Sequence, residues 1–250
     1  DHYRARGWDA LKNPVYDATE VAEVLQNDYG FTTTLLKDPP LDSIYAALIR
    51  YYRTLQPKDQ LLIYFAGHGD FDEQLMDDGF IVCSDSKPVD EDPVRNSYLQ
   101  HSRLKKMINK IPARQTLVVL DICHGGSFDD GVLGKREGNN SNISNRNVLQ
   151  FLRDKAQYQT RLFLSSVGKE SAFDGRAGKH SPFANLLLQI LRARGEGTNG
   201  IITLSDIYAV LQKQSLNETE SLRIAPYKAG FGSNDALSEF ILIPVEKNGN

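Results

Sequence analysis

Cysteine is scarce in this sequence: two residues in 250, Cys83 and Cys123. That excludes the disulfide framework that staples small secreted domains, and a reducing cytoplasm is the simplest setting. Charge of one sign is missing too. The 29 Lys and Arg residues nearly offset 32 Asp and Glu, for a formal charge of -3. Such a balance leaves no electrostatic footprint for nucleic acid or a membrane surface. No apolar run approaches the roughly 18 residues that span a bilayer, and the start carries no signal-peptide pattern. Paired ligands at zinc spacing are also lacking, although His68, Cys123 and His124 are metal-ligating types. Neither nucleic acid nor membrane is expected as a partner, and no cofactor or metal.

What the chain does have is short apolar strands between amphipathic helices. "TTTLL" (Thr32–Leu36), "LLIYF" (Leu61–Phe65), "GFIVCSD", "TLVVLDIC", "RLFLSS" (Arg161–Ser166) and "EFILIP" read as strands. Val21, Val24 and Leu25 have helical spacing, with Gly30 as a stop. Leu41–Leu55 and Ser97–Ile111 read as further helices. "SPFANLLLQILRAR" opens with Ser181 as N-cap and Pro182 at the first helical position, and "LSDIYAVLQKQ" repeats the pattern. Strands apolar throughout, alternating with helices, predict an α/β domain over residues 1–250 with a mainly parallel sheet covered on both faces. The polar stretch Asp129–Asn147 is a loop longer than about 15 residues, a length usually reserved for function or disorder. "DEQLMDD" and "DSKPVDEDP" read as solvated loops. The polar start, "DHYRARGWDALKNPVYDA", stands where a buried strand is expected, so that strand is expected upstream of residue 1.

Two strands end alike. "LLIYFAGHGD" delivers His68 between two glycines, and "LVVLDICHGGS" delivers Cys123 just before two. Catalytic groups of open α/β sheets gather at the carboxyl ends of strands, and glycine there lets backbone amides approach a substrate. A cysteine thiolate is a strong nucleophile at neutral pH, and an imidazole can take its proton and return it to a leaving amine. The amides of Gly69 and Cys123 are candidates for holding an oxyanion. Cysteine is also a common core residue. That packing reading suits Cys83 and fits Cys123 poorly, because Cys123 follows an acid and precedes His-Gly-Gly. His124 reads as structural.

These motifs resemble those of the caspase-like cysteine peptidases: caspases, metacaspases and paracaspases. The caspase histidine stands about 50 residues before the cysteine; here the separation is 55. "YFAGHGD" resembles the histidine motif and "DICHGGS" the nucleophile motif, and "NPVYDA", "SSVGKESAFDG" and "HSPFANLLLQIL" match in order. The resemblance implies a six-stranded, mainly parallel sheet flanked by helices, with its first strand upstream of residue 1. It implies Cys123 and His68 as a catalytic dyad acting on a protein or peptide substrate. It also leaves room for an activator or regulatory domain in the parent chain.

In caspases the residue two before the nucleophile is typically glutamine; metacaspases and paracaspases carry an acid there and cut after arginine or lysine. This chain has Asp121 at that place, and Asp17 and Asp174 match two further pocket acids, with Ala66, Gly67 and Ser166 lining the same cleft. Carboxylates around one pocket favour a guanidinium, which pairs bidentately. The acidic pair of calcium-dependent metacaspases is missing before "YLQHSRLKK". Asp129 and Asp130 make a poor cage for an ion that takes 6–8 oxygens, so no calcium requirement is expected. Lys135, Arg136 and Arg146 in the 129–147 loop are candidate self-cleavage sites. The leading expectation is an endopeptidase cutting after Arg, with Lys also accepted. The alternatives are a catalytically silent interaction module and another thiol-acyl chemistry.

Overall fold

The computed structural model describes residues 2–3, 8–129, 148–167, 178–196, 200–215 and 224–246. The first half runs α1 (Pro14–Tyr29), α2 (Leu41–Thr54), β1 (Gln60–Gly67), β2 (Gly69–Asp72), β3 (Asp78–Ile81), β4 (Leu99–Gln100) and α3 (His101–Asn109). The second half runs β5 (Gln115–Ile122), α4 (Val148–Ala156), β6 (Thr160–Ser165), α5 (Pro182–Arg192), β7 (Ile202–Thr203), α6 (Leu204–Ser215), β8 (Tyr227–Gly230) and β9 (Ile241–Leu242).

The main sheet has the order β1-β5-β6-β8. β1, β5 and β6 are parallel and β8 is antiparallel to β6. The apolar runs are continuous because both faces are covered. Leu117, Val119, Leu162 and Leu164 meet α1, α5 and α6 through Val21, Leu25, Leu187 and Ile207. Val118, Leu120, Ile122 and Phe163 meet α2 and α3 through Ile44, Leu48, Leu104 and Ile108. Each such side chain contributes about 1.5–3 kcal/mol on burial. α5 starts as its sequence predicts: Ser181 Oγ accepts the Ala184 N–H at 2.9 Å, with Pro182 following. Gly30 ends α1 in the left-handed conformation, φ 71°.

Three expectations need correction. Residues 32–36 are not a strand. They line a cavity of about 890 Å³ whose other walls include Leu62 and Tyr64 of β1, Val21 of α1 and Leu48 of α2. Among the described residues β1 is laddered on one side only, to β5; with the cavity beside β1, the 32–36 backbone has no ladder to join. Ser97–Ile111 is not one helix. Leu99 and Gln100 pair with β3, and the helix begins at His101, where Asp78 of β3 accepts from the Ser102 hydroxyl at 2.6 Å. "EFILIP" contributes β9, which pairs with β7 in a separate two-stranded sheet.

The acidic loops are not simply solvated. Asp92 is buried and accepts from the Ser97 N–H and hydroxyl, both at 2.7 Å, while Asp85 accepts the Leu41 N–H at 2.9 Å. Asp70 and Asp72 hold Arg95 at 2.7 and 2.6 Å.

Candidate active site

The sheet register sets the site. Gly67 is the ladder partner of Ile122, so His68 and Cys123 leave two adjacent parallel strands at the same level. Cys123 is a partly exposed thiol outside any disulfide, whereas Cys83 is buried, and burial pushes its thiol up to about 12. Cys83 is core.

His68 is oriented by groups its own motif does not contain. Its Nε2 lies 2.8 Å from the carbonyl oxygen of Asp9. A carbonyl only accepts, so Nε2 carries the proton and Nδ1 keeps its lone pair in the neutral ring. Tyr3 and Trp8 lie against the imidazole, centroids 5.0 and 5.2 Å away. The His68 backbone N–H donates to the Tyr3 hydroxyl at 3.1 Å, and Trp8 Nε1 donates to the Tyr98 hydroxyl at 3.2 Å. The polar start of the chain thus backs the histidine.

The glycines divide their work. A Cβ on Gly69 would stand 2.0 Å from the Cys123 carbonyl oxygen, so the two expected oxyanion residues share one tight backbone contact. Gly125 is not open to a peptide, contrary to the expectation for glycines after the cysteine. It is buried, and a Cβ there would stand 2.1 Å from Ser165 Oγ. His124 adopts the left-handed conformation, φ 55°, and starts the 3-10 turn Gly125–Phe128. That turn is propped from α3. Ser127 Oγ donates to the His124 carbonyl at 2.7 Å, so at 3.1 Å it accepts from His101 Nδ1. Burial pushes His101 down to about 3 and keeps it neutral. Lys105 Nζ donates to the Phe128 carbonyl at 3.1 Å.

Asp17 and Asp121 meet through one residue. Asp17 lies in the first turn of α1, 1% exposed, and Asp121 near the end of β5, 8% exposed. Ser181 donates its hydroxyl to Asp121 at 2.6 Å and its backbone N–H to Asp17 at 3.1 Å. His180 Nδ1 lies 2.6 Å from the other Asp17 oxygen. The Tyr64 hydroxyl donates to Asp121 at 3.3 Å. Ala66 is the ladder partner of Asp121, placing a small side chain beside the carboxylate. Ser166, 2% exposed, sits just beyond β6, its hydroxyl outside full hydrogen-bond geometry with any partner among the described residues. Burial raises the Asp121 carboxyl from its ordinary 3.8 to about 6. The Ser181 and Ser166 hydroxyls pull it back, and the Asp17 charge pushes it further up. Burial also lifts the Tyr64 phenol well above its ordinary range, aided by both acids.

Asp174 and the loop residues Asp130, Lys135, Arg136 and Arg146 lie outside the described residues. Asp129, at the near end of that loop, accepts a short hydrogen bond from the Tyr227 hydroxyl of β8. Asp9, Tyr3, Trp8, His180, Ser181 and Tyr64 are not legible in the sequence as site residues. The Ser181-Pro182 cap marks a helix start, and the "HSPFANLLLQIL" match covers His180 and Ser181 without giving either a role.

A sequence profile of the caspase domain matches residues 1–221. The chain belongs to the caspase domain family. That family is one of cysteine peptidases, hydrolases that act on protein substrates. Among solved structures, caspase-1 from Spodoptera frugiperda is similar over 92% of this chain and 82% of its own, at 14% identity and a TM-score of 0.61. The structure of pro-sf-caspase-1 is similar over 92% and 83%, at 15% identity and a TM-score of 0.56. At this identity the likeness carries the fold, an α/β caspase architecture with a mainly parallel central sheet flanked by helices. No curated protein matches the chain in sequence.

Proposed function

We propose that this caspase domain is an endopeptidase that cleaves after a basic residue, Arg preferred and Lys accepted. The observation that carries the reading is the joining of two buried carboxylates at Ser181: Asp121, two residues before Cys123 on β5, and Asp17 of α1. A buried acid pair is costly without a cation, and a guanidinium answers both charge and geometry. Ser166 and Ala66 stand beside Asp121 as further pocket walls, and Asp174 is assigned there by resemblance.

In this reading Cys123 Sγ attacks the carbonyl carbon after the basic residue, and its proton passes to His68 Nδ1. The Asp9 carbonyl fixes the ring and stabilises the imidazolium that forms. Gly69 and Cys123 amides hold the oxyanion, a contact worth about 3 kcal/mol per donor. The leaving amine takes the proton from His68, and water then hydrolyses the acyl-enzyme. The thiol chemistry suits a reducing, cytoplasmic setting.

Hydrolysis of a fluorogenic peptide panel ending in Arg, Lys, Asp or Leu tests the reading. Arg should lead, Lys should follow, and Cys123→Ala should abolish both. Turnover of the Asp peptide in preference to Arg contradicts it.

A further inference from the structure

Asp17, a buried acid on α1, already holds a basic group of this chain. His180 Nδ1 sits 2.6 Å from one carboxylate oxygen while the Ser181 N–H takes the other at 3.1 Å. The imidazole lies flat on Tyr16, centroids 4.5 Å apart and planes within 7°. Tyr16 precedes Asp17 in α1 and is 44% exposed. One turn of helix thus grips the imidazole by its face and its edge. The His180 side chain keeps 14% exposure and the Asp17 side chain 2%, so the ring lies on the solvent side of the acid. An imidazole N–H is the same kind of donor that a guanidinium or ammonium would bring. A bidentate arginine needs one acceptor site on each carboxylate oxygen, and residues 180 and 181 stand on both.

We propose that His180 is a specificity-determining latch: a basic substrate side chain reaches Asp17 by displacing the His180 imidazole from it. The proposal rests on the basic-residue reading above. The substrate cation must take the place of the His180 N–H on Asp17, so the latch lowers basic-substrate affinity and removing the imidazole raises it. Among the described residues the groups facing His180 are Tyr16 and Asp17 of α1 and, through Ser181, Asp121 of β5 and Tyr64 of β1; Lys179 is its chain neighbour. His180→Ala removes the donor from Asp17, and His180→Gln keeps an N–H donor there.

The test uses Cys123→Ala protein, alone or with His180→Ala or His180→Gln, and a labelled peptide carrying the recognised arginine, with Kd measured at pH 7.5. His180→Ala should bind about tenfold more tightly than the parent, with His180→Gln between the two. In the parent at pH 7.5, the His180 ring-proton resonance should move when peptide is added, a readout independent of whether the variant folds. Equal or weaker binding by His180→Ala, or a His180 resonance that the bound peptide leaves in place, overturns the latch while the basic-residue reading stands. No binding of the arginine peptide by any of the three proteins overturns the basic-residue reading itself.

Discussion

Ser181 donates its hydroxyl to Asp121 at 2.6 Å across 60 residues of sequence, and the same oxygen caps α5 through the Ala184 N–H. The helix start and the buried Asp121 carboxylate are therefore one structure, which is why a buried charge can be held still here.

Burial makes Asp121 a source of instability at neutral pH. Its folded carboxyl is raised from 3.8 to about 6. A raised carboxyl favours the folded state fully below the lower value, and that contribution is lost as pH rises through the upper one. Asp121→Asn keeps an acceptor for Ser181 and removes the charge. It should raise stability at pH 7.5 by on the order of 1–3 kcal/mol while lowering kcat/KM for an Arg peptide at least 100-fold. Thermal melts from pH 4 to 8 check the first part: the gap between variant and parent should be closed near pH 4, widen as pH rises to about 6 and stay level above it.

Gly69 has no room for a methyl group, since a Cβ would stand 2.0 Å from the backbone oxygen of Cys123. Gly69→Ala must push the nucleophile's own peptide unit. We expect a loss of about 1–3 kcal/mol in stability and a fall of at least 100-fold in kcat, because a shift of about 1 Å at the reacting atoms is enough for that. Denaturant melts and single-turnover kinetics separate the two effects.

Trp8 supports His68 through ring contact and is tied to Tyr98. Trp8→Ala should leave the sheet intact and lower kcat about tenfold, with KM for the Arg peptide little changed, because the acidic pocket lies on α1, β5 and the Ser181 turn. Steady-state kinetics with a circular-dichroism melt checks this.

Calcium should not matter. Activity measured with excess chelator and with millimolar calcium should agree within twofold. In the same samples, mass spectrometry should locate any self-cleavage after Lys135, Arg136 or Arg146. Active protein with that loop intact removes self-cleavage from the account.

The parts of the fold legible in sequence were those where one local signal sufficed. β1, β5 and β6 are unbroken apolar runs, and α5 carries its own cap. Thr32–Leu36 misled because β-propensity describes a residue's fitness for a ladder, and the cavity beside β1 leaves none to join. Leu99 and Gln100 misled because a pairing with β3 outweighed helical spacing. Within the site, Cys123 and His68 stood out as glycine-flanked strand ends. The Asp9 carbonyl did not, since a backbone oxygen has no identity in a sequence. His180 lies 163 residues from Asp17, a distance across which a single sequence shows no pairing.

The central claim is that Cys123 attacks substrates chosen by an acidic pocket. Intact-mass analysis after exposure to peptide ketone electrophiles ending in arginine or aspartate tests both halves at once. One arginine probe per chain, mapped to Cys123 and slowed by Asp121→Asn, is the predicted result. Modification by the aspartate probe in preference to arginine, or labelling at Cys83 with Cys123 untouched, would contradict the account.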